Sequence, residues 1–464
     1  MQASSTDSVA AQPLKIPPLW LLLVAGSLLA ALSAGARASF GLYLDPVVET
    51  LDANRAMYGL AIAIQAIVWG IGQPIAGAIA DRFGAARVLA FGAVVYSAAL
   101  LLMGASTNAL AIHATAGFLT GVGMAAASLT VVLASVSRLA PPDKVSRALG
   151  IATAFSTAGQ VILIPVAQRL LDSYGWRQTV VVVGLLLSVM IIFAPVFRGN
   201  AADQTRKGEA TGESLSYDLR RARHSRGYIF LNLAFFVCGF HVTFIATHIK
   251  SYATDLGQAA TIGAWTLVLI GLFNMAGSYG VGVLGETHSP SRLLTYVYGL
   301  RAVVILVFIL APSSGTSTLI FGAVIGLLWL TTVPPTSAIV ARQFGTTNAG
   351  ALFGIVFFSH QLGAFLGAWM GGWLFDTTGS YLVAWWVAIG LGVFAAVVHL
   401  FVDEGPAPAP PPQGEPGSRL AKAAVALVIV AGLTGVGALA APVAEASDGD
   451  TPAFYCSLHI LSSD

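Results

Sequence analysis

Six ionisable side chains stand within long apolar stretches of the chain, where charge is rare. An arginine there keeps its charge, and its planar guanidinium fits a carboxylate with two hydrogen bonds. A histidine can take up and release protons, because its pKa lies close to neutral pH. We therefore expect a site for an organic anion, with histidines that could couple its movement to protons. The six residues are Arg37, His113, His241, His248, Arg301 and His360.

The composition places these residues in a membrane protein. Of the 464 residues, 56% are hydrophobic and 9% are charged, whereas a soluble domain carries about 25% charged residues. The net charge of +2 gives no reason to expect a nucleic acid partner. Cys238 and Cys456 form neither a metal-binding spacing nor a disulfide framework. We find no nucleophile with a suitable base and no phosphate-binding loop, so we expect neither an enzyme nor a cofactor.

Twelve segments are long and apolar enough to span a bilayer as helices, since about 20 residues suffice. We therefore predict an all-α membrane protein. After a Pro-rich stretch, residues 423–441 would make a weak thirteenth span. The twelve predicted spans are 19–44, 57–80, 88–106, 109–137, 148–171, 178–197, 227–249, 260–285, 293–311, 317–340, 350–375 and 382–402.

A basic linker divides the spans into six and six. It carries seven Lys or Arg residues, which predicts that it lies in the cytoplasm. The N-terminus then also lies in the cytoplasm, and we expect a multi-pass protein of the cell (inner) membrane. The predicted divisions are an N-terminal tail (1–17), a first bundle (18–197), the linker (198–226), a second bundle (227–402) and a C-terminal segment (403–464).

The two halves repeat each other at a nearly constant offset. A shift of 204 residues places Gly159 on Gly363, and a shift of 205 residues aligns 77–87 with 282–292. Related six-helix halves are typical of transporters whose substrate site lies between the halves, near the bilayer midplane.

The stretch "GAIADRFGAAR", 77–87, closes the second span and could form a gate. Asp81 lies at a helix C-terminus, where the helix dipole disfavours an anion, so its carboxylate needs a partner. A pairing that holds in one conformation and breaks in the other would make a gate; the alternative is a static loop. The predicted gate residues are Gly77, Asp81, Arg82, Gly84, Arg87 and Arg138, with Glu286, Arg292 and Arg342 in the degraded second copy.

This motif resembles the loop 2–3 signature of the major facilitator superfamily, Gly-x-x-x-Asp-Arg-x-Gly-x-x-Arg. The segments "GARASFGLYLDPV", "FFVCGFHVTFIATHI" and "GIVFFSHQLGAFLGAWMGGWLFD" further resemble its monocarboxylate-transporter-like branch, which includes oxalate/formate-type exchangers. The resemblance covers residues 18–402 and implies two pseudo-symmetric six-helix bundles, a monomer and alternating access. The eighth span departs from many members, because it lacks their arginine and aspartate.

Arg37 is the predicted carboxylate-binding residue. Small side chains leave room around it, and the superfamily branch also places a cation in the first span. Charged residues inside spans usually face the bundle interior and mark a pathway. The alternative is that Arg37 extends to the membrane surface and pairs with Asp45. No Asp or Glu lies in the middle of a predicted span, which favours an anion over a cation as substrate.

Five further residues are predicted to line the site. His241 and His360 lie near the middle of their spans and are the candidates for substrate contact or proton coupling. Either one could instead be a hydrogen-bonded packing residue. Asn274, Thr332 and Gln361 could supply neutral hydrogen bonds.

The tenth span contains the stretch "WLTTVPPTSA", 329–338. Its two prolines must bend the helix, either as a hinge or permanently. Arg301, in the ninth span, is interpreted as structural, because that span usually lies outside the cavity in this superfamily.

The favoured hypothesis is a secondary transporter for a small organic anion, a monocarboxylate, with proton coupling or exchange. Two alternatives stay open. One is an efflux transporter of neutral or hydrophobic compounds, and the other is a membrane sensor that has a transporter fold and does not transport.

Overall fold

A computed structural model describes residues 18–139, 145–198, 214–345 and 348–409. Within these ranges the regular structure is helical, with no β-strand. The predicted all-α fold class is therefore confirmed. The predictions for the N-terminal tail and for a thirteenth span at 423–441 fall outside the described residues.

The described residues of the first half form eight α-helices. Between α5 and α6 runs a π-helix, His113–Leu119, and a 3-10 helix, Phe40–Leu42, follows α1. The eight are α1 (Leu19–Ala38), α2 (Leu44–Thr50), α3 (Arg55–Phe83), α4 (Ala85–Gly104), α5 (Ala109–Ile112), α6 (Thr120–Ala126), α7 (Leu129–Leu139) and α8 (Val145–Phe193).

The described part of the linker and the second half continue the series. A short polar helix, α9, precedes the long apolar ones. These helices are α9 (Leu215–His224), α10 (Arg226–Asp255), α11 (Ala260–Leu284), α12 (Pro290–Leu310), α13 (Gly315–Leu327), α14 (Val333–Phe344), α15 (Ala349–Thr378) and α16 (Leu382–His399).

Ten helical segments in the described residues are long and apolar enough to cross a membrane, against twelve predicted spans. The difference has two causes. The fifth and sixth spans run together in α8, where Gly175 breaks the helix with φ 78° and ψ 172°. The tenth span is divided into α13 and α14, and each piece alone is short.

The break in the tenth span is held by side chains from two neighbouring helices. Arg301 Nε donates to the carbonyl oxygen of Leu328 at 2.9 Å, and the same guanidinium also donates to the carbonyl of Trp329. Asn274 Oδ1 accepts from the backbone N–H of Leu330 at 3.0 Å. Backbone groups freed inside a membrane must find partners within the protein. Arg301 therefore serves the fold at this break.

The packing of the helices follows the internal repeat. In the first half α1 packs on α8, and in the second half α10 packs on α15. A Cβ on Gly159 would lie 2.0 Å from the carbonyl oxygen of Ala31, and a Cβ on Gly363 would lie 1.9 Å from that of Phe236. The same glycine of the repeat thus allows close approach at equivalent crossings.

Among the described residues, the two most extensive helix pairs between the halves are α3 with α15 and α8 with α11, while α10 makes smaller contacts with α2 and with the 3-10 helix. The repeat exchanges the second span with the eighth and the fifth with the eleventh. It therefore converts one pair into the other. These two related contacts flank the space between the halves, where the predicted site would lie.

We expect Gly363→Ala to destabilise the protein, because its methyl group would overlap the backbone of α10. Overpacking of this kind costs about 1–3 kcal/mol. Gly354→Ala is the control in the same helix, since a Cβ there meets no atom within 4 Å. Thermal unfolding in detergent should show a lower midpoint for Gly363→Ala than for Gly354→Ala. Equal midpoints would contradict the close crossing.

Candidate functional site

Arg37 lies in the last turn of α1, and its partly exposed side chain turns towards α3. The guanidinium carbon stands 5.2 Å from the centroid of the Trp69 ring. Asp45 instead pairs with Arg55, at 3.2 Å. The structure therefore does not form the alternative pair between Arg37 and Asp45. Among the described residues, no carboxylate lies within ion-pair distance of Arg37.

Trp69 lies between the two halves of the chain. Its ring meets the ring of Phe357 on α15 edge to face, with centroids 5.3 Å apart. Phe357 stacks on His360 with centroids 5.7 Å apart. His360 Nδ1 lies 3.0 Å from Gln361 Oε1, and Gln361 Nε2 donates to the carbonyl of Ala66 on α3. The predicted site residues Arg37, His360 and Gln361 thus lie along one row of contacts.

His241 lies elsewhere. It is 1% exposed, and its Nε2 is 2.7 Å from the carbonyl oxygen of Ala388 on α16, to which it can donate a hydrogen bond. His113 Nε2 lies 3.0 Å from the carbonyl oxygen of Met57. The structure does not bring His241 or His113 into the row that contains Arg37.

Asn274 and Thr332 belong to the break in the tenth span. Asn274 accepts from Leu330 and from the hydroxyl of Ser278, and Thr332 Oγ1 lies 3.2 Å from Cys238 Sγ. Both side chains are buried. Asn274 supports the local backbone, whereas Thr332 contacts Cys238 of α10, a side chain that also interacts with His360 of the row.

Sequence reasoning missed two aromatic residues of the row, Trp69 and Phe357. An aromatic residue in an apolar span looks like lipid-facing or core packing when only its sequence is known. In the structure Trp69 contacts Arg37, and Phe357 contacts His360, so both belong to the row. Sequence spacing contains no information on such distances between helices.

One end of the helix bundle is closed by contacts between the halves. We call it the closed end; it is formed by residues 42–55, 250–260 and 376–382. The Arg55 guanidinium binds both carboxylate oxygens of Asp255 and donates to the Tyr381 hydroxyl at 3.2 Å. The Asp376 carboxylate accepts from the backbone N–H groups of Arg55, at 3.1 Å, and Ala56, at 2.7 Å.

Two further contacts reinforce the closed end. Lys250 Nζ of α10 donates to the carbonyl oxygen of Leu42 in the first half, at 2.9 Å. Burial raises the pKa of Tyr381, so its hydroxyl keeps its proton. His248 Nε2 lies 2.8 Å from the carbonyl of Ala368 and carries the proton there, which leaves Nδ1 to accept from the Tyr381 hydroxyl.

The predicted gate lies at the other end, which we call the linker end (residues 77–87, 282–292 and 342–348). Arg82 stands over the Phe83 ring, at 5.3 Å, and Arg87 donates to the carbonyl of Phe83 at 3.3 Å. Gly77 has open space around it, and Gly84 has a φ of 93° that suits glycine. The side chains of Asp81 and Arg138 are not among the described ones.

The second copy of the gate motif makes contacts within its own half. Glu286 and Arg292 are exposed, while Arg342 pairs with Glu404 at 2.6 Å. Glu404 also accepts from the backbone N–H of Ser291 at 2.7 Å. Among the described side chains of both copies, the hydrogen bonds and ion pairs stay within one half. The ion pair that joins the two halves among the described side chains, Arg55 with Asp255, lies at the closed end.

The fold is that of a polytopic helical membrane protein built from two related halves. A sequence profile of the Major Facilitator Superfamily matches residues 26–368 and 231–448. The chain belongs to this superfamily. The gate motif, the repeat and the cross-half packing agree with that membership.

Relatives of known name are transporters too. The chain is 28% identical to the MFS-type transporter YcxA of Bacillus subtilis, over 79% of this chain and 91% of YcxA. It is 24% identical to monocarboxylate transporter 13 of Bos taurus, over 84% and 92% of the two chains. It is 23% identical to the oxalate:formate antiporter of Oxalobacter formigenes, over 62% and 68%.

Solved structures share the fold at low sequence identity. A variant of the nucleoside transporter NupG superposes with a TM-score of 0.67 at 13% identity, over 82% of this chain and 99% of that one. The inward-open xylose transporter XylE from E. coli superposes with a TM-score of 0.64 at 14% identity, over 88% and 100%.

We expect Asp255→Asn to loosen the closed end, because Arg55 keeps Asp45 in its own half and loses the carboxylate that ties it to the other half. Spin labels on Glu49→Cys and Ala259→Cys, both exposed, would report the separation of the halves in a background without Cys238 and Cys456.

The distance distribution between the two spin labels, measured by double electron–electron resonance, should then gain a longer component. Asp52→Asn removes the same charge from an exposed position of the closed end and should leave the distribution unchanged. An unchanged distribution in Asp255→Asn would show that this ion pair does not hold the end closed.

Proposed function

We propose that the protein moves a small monocarboxylate across the membrane by alternating access. The observation that carries this proposal is Arg37, a guanidinium inside a membrane span, beside an interface between the halves, with no acid partner among the described residues. An embedded charge without a partner is costly, and such residues commonly mark substrate pathways. A substrate carboxylate would supply the missing anion through two charge-assisted hydrogen bonds.

The surroundings of Arg37 support one carboxylate and an apolar body. Two buried cations of the second half are already engaged: Arg301 binds carbonyl groups at the helix break, and Lys250 binds the carbonyl of Leu42. The rings of Trp69 and Phe357 form an apolar wall beside Arg37. The relatives of this chain include several monocarboxylate transporters, which supports the same substrate class.

Alternating access would proceed between the two ends of the bundle. The bundles 18–197 and 227–402 would rock against each other, as related halves do in other transporters. The basic linker supports a cytoplasmic linker end, with the N-terminus on the same side. The described conformation, tied at the closed end, would then face the cytoplasm. We propose that the protein acts as a monomer.

Proton coupling is proposed for His360 rather than His241. His360 stacks on Phe357, which in turn contacts Trp69. A change in the charge of His360 would therefore affect the anion site. His241 is enclosed between α10 and α16 and bonded to Ala388. Exchange of one anion for another remains the other coupling mode under this proposal.

We expect Arg37→Gln to weaken carboxylate binding by about 30-fold or more, because losing one partner of a buried charge pair costs about 2–5 kcal/mol. Thermal-shift titrations would use acetate, lactate, pyruvate and benzoate, with oxalate and succinate as dicarboxylates. A ligand at about 100 times its dissociation constant stabilises the folded state by roughly 2.7 kcal/mol.

Arg169→Gln, which removes a charge from an exposed position, is the matched control and should bind as the wild type does. Equal binding in Arg37→Gln and the wild type would overturn the proposed site. If no acid binds the wild type, the alternative of a transporter for neutral or hydrophobic substrates is favoured. Counterflow in proteoliposomes then separates a transporter from a sensor, since a sensor binds without flux.

We expect Asp81→Asn to slow turnover and to leave the dissociation constant unchanged, because it alters the proposed gate and not the anion site. Glu286→Gln is the paired variant in the degraded copy, where Thr287 and His288 replace the Arg-Phe of the motif, and it should slow turnover less. Counterflow rates and thermal-shift titrations measure the two quantities separately. Full counterflow activity in Asp81→Asn would contradict the gate.

A further inference from the structure

The indole N–H of Trp69 has no hydrogen-bond partner among the described residues, although its Nε1 atom is buried. Buried polar groups are nearly always paired. An unpaired buried donor loses its hydration without compensation, which is unfavourable by about 1–3 kcal/mol. The exception at Trp69 therefore needs a physical explanation.

A charged group beside this ring also lacks a carboxylate partner among the described residues. Arg37 lies over the Trp69 ring at 5.2 Å, and neither side chain meets a carboxylate within the described ranges. Two kinds of donor, a guanidinium and an indole N–H, thus stand side by side. Both would be satisfied by a ligand that brings at least two acceptor oxygens on one small group.

We propose that Trp69 is a specificity-determining residue of the anion site: its indole N–H donates to one carboxylate oxygen while Arg37 binds the same carboxylate. This inference rests on the proposed function and names a second donor for it. The Trp69 ring has a second task, because its face holds the guanidinium through a cation–π contact.

The position of Trp69 also connects the anion site to both halves of the transporter. Arg37 and Trp69 belong to the first half, whereas Phe357, which meets the Trp69 ring edge to face, belongs to the second. A carboxylate bound at Trp69 Nε1 would fix the orientation of this ring. Carboxylate binding would therefore affect the contact between Trp69 and Phe357, which must change when the halves rock.

Trp385 provides an internal control, because its Nε1 is likewise buried and unpaired among the described residues. Trp385 is 1% exposed and is enclosed by the rings of Phe244, Phe308 and Phe321. No arginine or lysine stands over its ring in the described structure. Its unpaired N–H is a packing compromise in a closed apolar cluster, whereas Trp69 is partly exposed beside a cation.

The test compares Trp69→Phe with Trp385→Phe, two variants that each remove one unpaired indole N–H and keep an aromatic ring. Dissociation constants for acetate, lactate, pyruvate and benzoate would be measured by thermal-shift titration, with benzamide as the uncharged analogue of benzoate. We expect Trp69→Phe to weaken binding of the carboxylates about 10-fold, as loss of a hydrogen bond to a charged group does. Trp385→Phe should bind them as the wild type does.

A second measurement uses the wild-type protein and reports on the hydrogen bond directly. The indole N–H signals of the 9 tryptophans would be recorded by NMR with 15N-labelled tryptophan, and the Trp69 signal is the one missing from Trp69→Phe. Benzoate should shift this signal downfield, and benzamide should leave it in place. A positioning role alone would leave the N–H without a new acceptor.

The outcomes separate the two proposals. If the carboxylates bind the wild type and Arg37→Gln loses them, while Trp69→Phe binds normally and the Trp69 signal stays in place, the role of Trp69 is wrong and the proposed function stands. If no carboxylate binds the wild type, both are wrong. Equal weakening in Trp69→Phe and Trp385→Phe would mean that a general packing effect, and not the N–H, is responsible.

Discussion

The hydrocarbon core of a membrane offers no water to a polar group, so each such group must find its partner inside the protein. The described structure meets this constraint at several buried polar side chains. Arg301 and Asn274 take up the backbone groups freed at the break of the tenth span. His248 is bonded through both ring nitrogens. Several other buried polar atoms of the described residues lack a partner, among them the indole N–H groups of Trp69 and Trp385. Trp69 is the one of these two that lies beside a guanidinium, that of Arg37.

The repeat explains how the same framework can hold two conformations. Equivalent glycines let the first span cross the fifth and the seventh cross the eleventh at short range, so each half packs as a unit. Among the described residues, the most extensive helix contacts between the halves, α3 with α15 and α8 with α11, are related by the repeat. The ion pair between the halves that the described side chains form, Arg55 with Asp255, lies at the closed end and holds that end together.

A polar residue inside a span can belong to the candidate site or can support helix packing, and residue type does not distinguish the two. Arg37 and His360 were predicted from residue type and depth, and the structure places both along one row of contacts. His241 satisfied the same sequence criteria, yet it faces Ala388 on a neighbouring helix. Depth in a span follows from counting residues. The direction of a side chain depends on which helix lies beside it, and a single sequence contains no such information.

Composition and apolar length alone specify the membrane class, the helical architecture and the position of the basic linker, because a bilayer demands about 20 apolar residues per span whatever their order. The prolines of the tenth span specify that it must bend. Tertiary structure decided where the freed groups go, that Asp45 pairs with Arg55 rather than Arg37, and that Trp69 lies beside the guanidinium of Arg37. These are contacts between distant segments, and their geometry arises only when the helices pack.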